Sequence, residues 1–198
     1  MSYRPITDVW ILARSKLKGG IKYYGAYLGG FPERARALLG CNIDDPVLHV
    51  CGGMAKLYPY PRAFGPNDRT LDLDPNCKPD FCQDARFPFP RGPEDVTDPN
   101  LQPLQAYTGR PWKAILMDPP YSEGDAAHYA VGADVYPKPN LLLKNAFDVL
   151  PVGGRVGIIH YIIPNPPKPS RFVACVGIMC GFNNRMRAYT VFEKDHSE

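Results

Sequence analysis

Proline decides where this chain can be regular. Prolines recur between Tyr58 and Pro120 and again over Pro164–Pro169. Each removes a backbone donor and pushes the preceding residue out of the helical region. With 23 prolines in 198 residues, more than double the usual share, helices and strands are confined to the windows between them. The hydrophobic fraction of 44% is ordinary for a folded chain, and neither an internal repeat nor a low-complexity tract is present, so the prolines mark loops rather than disorder. The length suits a single domain over 1–198 with a sizeable core.

The windows alternate in kind. FPERARALL (Phe31–Leu39) has helical spacing and a stop at Gly40, and VLHVCGGM (Val47–Met54) reads as a buried strand running into a glycine turn. RTLDL (Arg69–Leu73) and the marginal DFCQDA (Asp80–Ala85) predict two more strands, and AILM (Ala114–Met117) a fourth. NLLLKNAFDVL (Asn140–Leu150) is an amphipathic helix with its leucines and Phe147 on one face, followed by a fifth strand in RVGIIHYII. Two β-rich runs around Asn183-Asn184 predict a closing hairpin. Strands separated by helices or long connections indicate an α/β fold with a mostly parallel sheet.

Bulk properties narrow the setting. A formal charge of +3 only hints at an anionic partner. No apolar run reaches membrane-spanning length, and MSYRPITDVW lacks a basic stretch followed by an apolar signal core, so a cytoplasmic protein without a membrane partner is expected. Cys77/Cys82, Cys175/Cys180 and His49/Cys51 raise the question of zinc. The common two-residue cysteine spacing is absent, and buried reduced thiols with no metal are the expectation.

Ligands of open α/β sheets bind outside the carboxyl ends of the strands, near the switch point. Gly52-Gly53 follow the Val47 strand, and Asp72, Asp84 and Asp118 close the next three. A glycine turn admits a ligand close to backbone. An acid at the second position can bind ribose hydroxyls, and one at the third can accept from an adenine amino group. Asp72 and Asp74 compete for the ribose role. KAILMDPPYSEG then stops its strand with an acid, two prolines and a tyrosine, which is ordinary turn chemistry unless the rigid loop serves a ligand.

Asp118-Pro119-Pro120-Tyr121, with VLHVCGGM, TLDLDP, DFCQDA and KYYGAYLGGF (Lys22–Phe31), resembles the class I S-adenosylmethionine-dependent methyltransferases that modify amino groups and carry a DPPY motif. The resemblance runs from about Lys22 to Lys194. It implies a Rossmann-like, open, mostly parallel seven-stranded sheet with helices on both faces and a C-terminal antiparallel hairpin. It makes Asp118, Pro119, Pro120 and Tyr121 catalytic. It assigns S-adenosylmethionine contacts to Tyr24, His49, Cys51, Gly52 and Gly53, and further contacts to Asp72, Leu73, Asp84, Ala85 and Asp118. Residues 1–40 would border that cofactor site. The implied reaction is methyl transfer to an exocyclic amine, foremost adenine N6 in DNA. The alternatives are the same chemistry on RNA, cytosine N4 or a protein glutamine, or a non-catalytic binding subunit. A partner chain or homo-oligomer is compatible with the resemblance.

The chain departs from that family at His49, where an acid is usual, and in its compressed Gly52-Gly53. A core histidine and a ligand contact are both readings of His49. No separate target-recognition domain is expected, which leaves the loops Pro88–Pro111, Ser122–Pro139 and Ile162–Arg171. Ser122–Pro139 is a candidate lid offering His128, Tyr129 and Tyr136. Lys138, Lys168, Arg171, Arg185 and Arg187 are either phosphate contacts or solvated surface.

Overall fold

A computed structural model describes residues 4–14, 16–21, 23, 26–59, 62–95, 109–129, 136–180 and 183–196. The strands are β1 (Ile6–Leu12), β2 (Val47–Val50), β3 (Arg69–Asp72), β4 (Phe81–Cys82), β5 (Ala114–Met117), β6 (Arg155–His160), β7 (Ser170–Cys180) and β8 (Asn183–Lys194). They form one eight-stranded sheet in the order β1-β7-β8-β6-β5-β2-β3-β4. β8 is antiparallel to β6 and β7, and every other pairing is parallel. The chain steps outward through β3 and β4, then returns to pair β5 with the other side of β2. The switch point therefore lies between β2 and β5, whose carboxyl ends carry Cys51–Gly53 and Asp118.

Both faces of the central strands are buried, which is why VLHV and AILM are apolar without alternation. Val47, Ala114 and Leu116 point into a core built with α1 (Phe31–Leu38), Trp10 and Tyr189. Leu48, Val50, Ile115 and Met117 point the other way, toward α3 (Pro139–Val149), which contributes Leu142, Leu143, Ala146 and Phe147. Gly157 on β6 permits this packing: a Cβ there would fall 2.3 Å from the Tyr189 hydroxyl.

The sheet has eight strands where seven were expected. The additional strand, β1, pairs in parallel with β7 from Ile6↔Ala174 to Leu12↔Cys180. As an edge strand it buries only Trp10 and Leu12 and leaves Val9 and Ile11 exposed, so its pattern has no polar outer face to mark it. A second correction concerns Ser122–Pro139, read as a loop: Glu123–Tyr129 form a helix, α2. Ser122 Oγ caps the helix by accepting the Asp125 N–H at 3.0 Å, and its hydroxyl donates to Asp125 Oδ2 at 3.0 Å. Asn183, placed in the hairpin turn by sequence, opens β8 instead.

Candidate active site

The carboxyl ends of the parallel strands surround a cavity of about 780 Å³. Cys51, Gly53, Asp72, Leu73, Asp84 and Ala85 line one part of it, and Asp118, Pro119, Pro120 and Tyr121 line another. His49 and Gly52 are not among its walls. Tyr24 lies outside the described residues, but its neighbour Tyr23 is part of the lining.

The turn after β2 is tight. Cys51 adopts φ 52° and donates its N–H to the Leu71 carbonyl at 2.8 Å, and Gly53 follows at φ 48°. Asp72, at the end of β3, holds the turn from the neighbouring strand. Its Oδ2 accepts the Gly53 N–H at 2.9 Å and its Oδ1 the Asp74 N–H at 3.0 Å. Burial raises the Asp72 carboxyl above its usual range against the pull of those N–H groups. Asp74 instead caps a 3-10 turn through the Asn76 N–H at 2.9 Å. Asp72 is thus a strand-end carboxylate and Asp74 a turn carboxylate, and both line the cavity.

His49 is a core residue. It is 2% exposed, its Nε2 lies 3.2 Å from Asp68 Oδ2, and its ring packs against Tyr27 and Phe64. His49, expected as a cofactor contact, thus lies in the core and not on the cavity wall. Gly52 is needed because the turn folds back on this histidine: a Cβ there would meet His49 Cβ at 2.9 Å.

Asp84 is gripped by Arg86 through Nε at 2.8 Å and Nη2 at 2.6 Å. Burial pushes its carboxyl upward, but the guanidinium and the Arg86 N–H outweigh it and hold the group below the usual carboxylate range. The segment beyond it is fixed from α3. Buried Asn145 donates to the carbonyls of Ala85 and Arg86 at 3.2 Å and of Phe87 at 2.9 Å.

Asp118 begins where β5 ends, its N–H still paired with the Val50 carbonyl at 3.2 Å. Prolines at the next two positions bar any continuation of the sheet. The Tyr121 hydroxyl donates to Asp118 Oδ1 at 2.7 Å. Among the described residues no hydrogen bond is made to Asp118 Oδ2. Burial pushes the Asp118 carboxyl up to about 6, with the Tyr121 hydroxyl and the Arg187 guanidinium pulling the other way. The Arg187 guanidinium stands 5.2 Å from the Tyr121 ring centre, a cation–π distance. Tyr161 packs at 4.6 Å and His160 edge-on at 5.6 Å from the same ring. His160 Nδ1 accepts the Ile162 N–H at 3.2 Å, so the neutral ring carries its proton on Nε2, 3.0 Å from the Tyr136 hydroxyl. Tyr136 in turn donates to the Tyr121 carbonyl at 3.4 Å. Burial lowers the His160 pKa, which favours that neutral form.

Sequence alone places neither this aromatic cluster nor Arg187. Arg187 reads as one basic residue on a strand, and only the antiparallel register of β8 brings it to Asp118. From α2, Asp125, Ala126 and Tyr129 line the cavity, His128 is exposed, and residues 130–135 of the expected lid lie outside the described residues. No group of three or more metal-ligating side chains occurs among the described residues. Nor is any helix among them long and apolar enough to cross a membrane.

Neither a family model nor a curated protein matches the chain. Solved structures do. TrmN from Thermus thermophilus superposes with a TM-score of 0.54 at 17% identity over 85% of this chain and 49% of that one. Lower-scoring matches are a protein from Haemophilus influenzae (0.47, 12% identity, 94% and 99% covered) and an rRNA methylase from Streptococcus thermophilus (0.39, 10%, 80% and 93%). The likeness to TrmN is one of fold: a mixed α/β sheet whose parallel strands reverse order between β2 and β5. The chain spans about half the length of TrmN.

Proposed function

We propose that the protein transfers a methyl group from S-adenosylmethionine to an exocyclic amine of nucleic acid, foremost adenine N6 in DNA. The observation that carries the reading is a braced carboxylate, Asp118 with Pro119-Pro120, at the switch point of the sheet and in one cavity with Gly53, Asp72 and Asp84. The cavity residues fit the cofactor. Cys51 and Gly53 of the turn line one part of the cavity together with Asp72, Asp84 and Ala85, which supports Asp72 as the acceptor for ribose hydroxyls and Asp84 with Ala85 for adenine. When bound, S-adenosylmethionine supplies an electrophilic methyl group on a sulfonium.

The chain's own contribution is acceptor geometry. An amine conjugated to a base ring is a weak nucleophile because its lone pair is delocalised. Two acceptors directed at its hydrogens favour a pyramidal nitrogen and localise that pair. The Asp118 carboxylate and the Pro119 carbonyl oxygen supply the acceptors, and the prolines spare the cost of ordering them at the moment of reaction. Tyr121 occupies Oδ1 and so turns the carboxylate, leaving Oδ2 for the amine. Tyr121, its carbonyl bonded by Tyr136 and its ring packed by Tyr161, lines the cavity where an extruded or single-stranded base would lie beside Asp118.

Incubation with methyl-labelled S-adenosylmethionine and separate DNA, RNA and protein pools tests the assignment. Label in DNA is expected; label confined to RNA moves the substrate, and label in protein alone contradicts the nucleic-acid reading.

Two variants probe the halves of the cavity. In Gly53→Ala the new Cβ would lie 2.6 Å from the Tyr23 ring at a φ of 48°. Strain of this kind costs on the order of 1–3 kcal/mol, so urea titration should show Gly53→Ala destabilised by about that amount, and calorimetric titration should show cofactor binding weakened wherever the turn shifts to relieve it. In Arg187→Gln, Asp118 loses its nearby cation, and the acid limb of the rate profile should move to higher pH by about one unit. Arg187→Lys should restore part of that shift, whereas a merely structural role would leave the limb in place.

A further inference from the structure

The cavity is electrically divided. Its cofactor side is lined by the carboxylates Asp72, Asp74 and Asp84, whereas Arg14, Lys16 and Arg185 line it at the opposite end of the sheet. Topology brings these cations together from distant segments. β1 runs parallel to β7 and ends at Leu12 opposite Cys180, and Ala13 bridges to Gly29, so Arg14 and Lys16 leave the sheet beside the end of β7, where Asn183 at the start of β8 pairs with Cys180. Arg185 and Arg187 then return on β8, two residues apart and both on the cavity wall. Arg187 is half-buried beside Tyr121, but Arg14, Lys16 and Arg185 are exposed at the mouth.

Among the described residues one acid, Asp125, opposes these cations at the mouth. Asp125 Oδ1 lies 3.9 Å from Arg185, whose Nη1 also donates to the Tyr161 hydroxyl at 3.0 Å. Those contacts steady one guanidinium at the rim next to the aromatic cluster without cancelling the local excess of positive charge. A glutamine side chain or a neutral metabolite has no use for such a rim. A strand with a phosphate on either side of the target nucleotide does.

We propose that Arg14, Lys16 and Arg185 bind the backbone phosphates flanking the target nucleotide, so that the segment leaving the edge strand β1 and the start of β8 together form the nucleic-acid rim. The proposal rests on the methyltransferase reading but is tested by binding rather than by turnover. Short fluorescein-labelled single strands of DNA and of RNA are titrated with the protein in S-adenosylhomocysteine, and anisotropy is followed across a salt series. On a single strand each neutralised phosphate contributes roughly 0.7 to the log–log salt slope. The combined variant Arg14→Gln, Lys16→Gln, Arg185→Gln should therefore lose about 2 from the slope and bind at least about tenfold more weakly at low salt. Charge-keeping Arg14→Lys, Arg185→Lys should retain the slope, and calorimetry should show cofactor binding intact in both variants. The arm with the tighter binding tells DNA from RNA. A slope and affinity unchanged in the neutralised variant would overturn the rim, as would wild-type binding that ignores salt. Full wild-type binding without methyl transfer would instead overturn the methyltransferase reading and leave the rim standing.

Discussion

Asp118→Ala is expected to lower methyl transfer by about 10²–10³-fold, the scale of removing one preorganised partner of a transition state, while cofactor affinity stays near wild type. The variant loses the acceptor for the amine and the Tyr121 hydroxyl loses its partner, so kcat should carry the effect more than KM. pH separates this from a structural collapse. The Asp118 carboxyl stands at about 6, so wild-type rates should fall roughly tenfold per unit below that pH, where the protonated group no longer accepts. Asp118→Asn keeps an oxygen acceptor that does not titrate, and its residual rate should lack that acid limb.

Stability should move the opposite way. Because burial raises this carboxyl above its ordinary value of 3.8, the folded state holds the proton more firmly than the unfolded chain does. The associated stabilisation is complete below the ordinary value and is lost as pH rises through about 6. At neutral pH the ionised, desolvated carboxylate is a cost, and after allowance for its partial exposure Asp118→Asn should stabilise the protein by about 1–2 kcal/mol. Below the ordinary aspartate range that gain should vanish. Equal melting temperatures for wild type and Asp118→Asn at neutral pH would contradict this account of the site as strained by its own charge.

Asp68→Ala should be the most damaging substitution away from the cavity. Asp68 is 1% exposed and gathers four donors. Its Oδ2 accepts from Arg36 Nη2, from the Gly65 N–H at 2.7 Å and from His49 Nε2 at 3.2 Å, and its Oδ1 accepts the Val47 N–H at 3.2 Å. Truncation strands the buried Arg36 guanidinium with only backbone carbonyls such as Asn42 O at 2.8 Å. Breaking a buried pair from one side costs about 3–5 kcal/mol, a large share of a typical total of about 5–15. Thermal melts should fall by about 10 °C or more. Asp68→Asn, which keeps the acceptor geometry of one oxygen, should lose less. A loss below about 1 kcal/mol in urea titration would show the cluster to be a surface-like pair.

Legibility from sequence followed burial. β2 and β5 lie between two packed layers, so VLHV and AILM are visible as apolar runs closed by turn residues, and Gly53 and Asp118 beyond their ends share one cavity with Asp72 at the end of β3 and Asp84 just past β4. β1 escaped because an edge strand with an open face has no alternation to detect. α2 escaped although Ser122-Glu123-Gly124-Asp125 carries a capping pattern, because it is short and a glycine in its first turn weakens the helical signal. His49 and Arg187 depend on partners far away in sequence. His49 is buried by Asp68, and Arg187 reaches Asp118 only because β8 pairs antiparallel with β6, Ile158 opposite Thr190 and His160 opposite Ala188. No local pattern contains a register of that kind.

The position of the transferred methyl group tests the central claim most directly. Nucleic acid modified by the wild-type protein can be digested to nucleosides and the product fragmented by mass spectrometry beside an Asp118→Ala control. The acceptor geometry of Asp118 and Pro119 predicts a methyl group on an exocyclic nitrogen, N6-methyladenosine or its deoxy form, absent from the control. A methyl group on a ring nitrogen, a carbon or a ribose oxygen, or one formed equally well without Asp118, would contradict it.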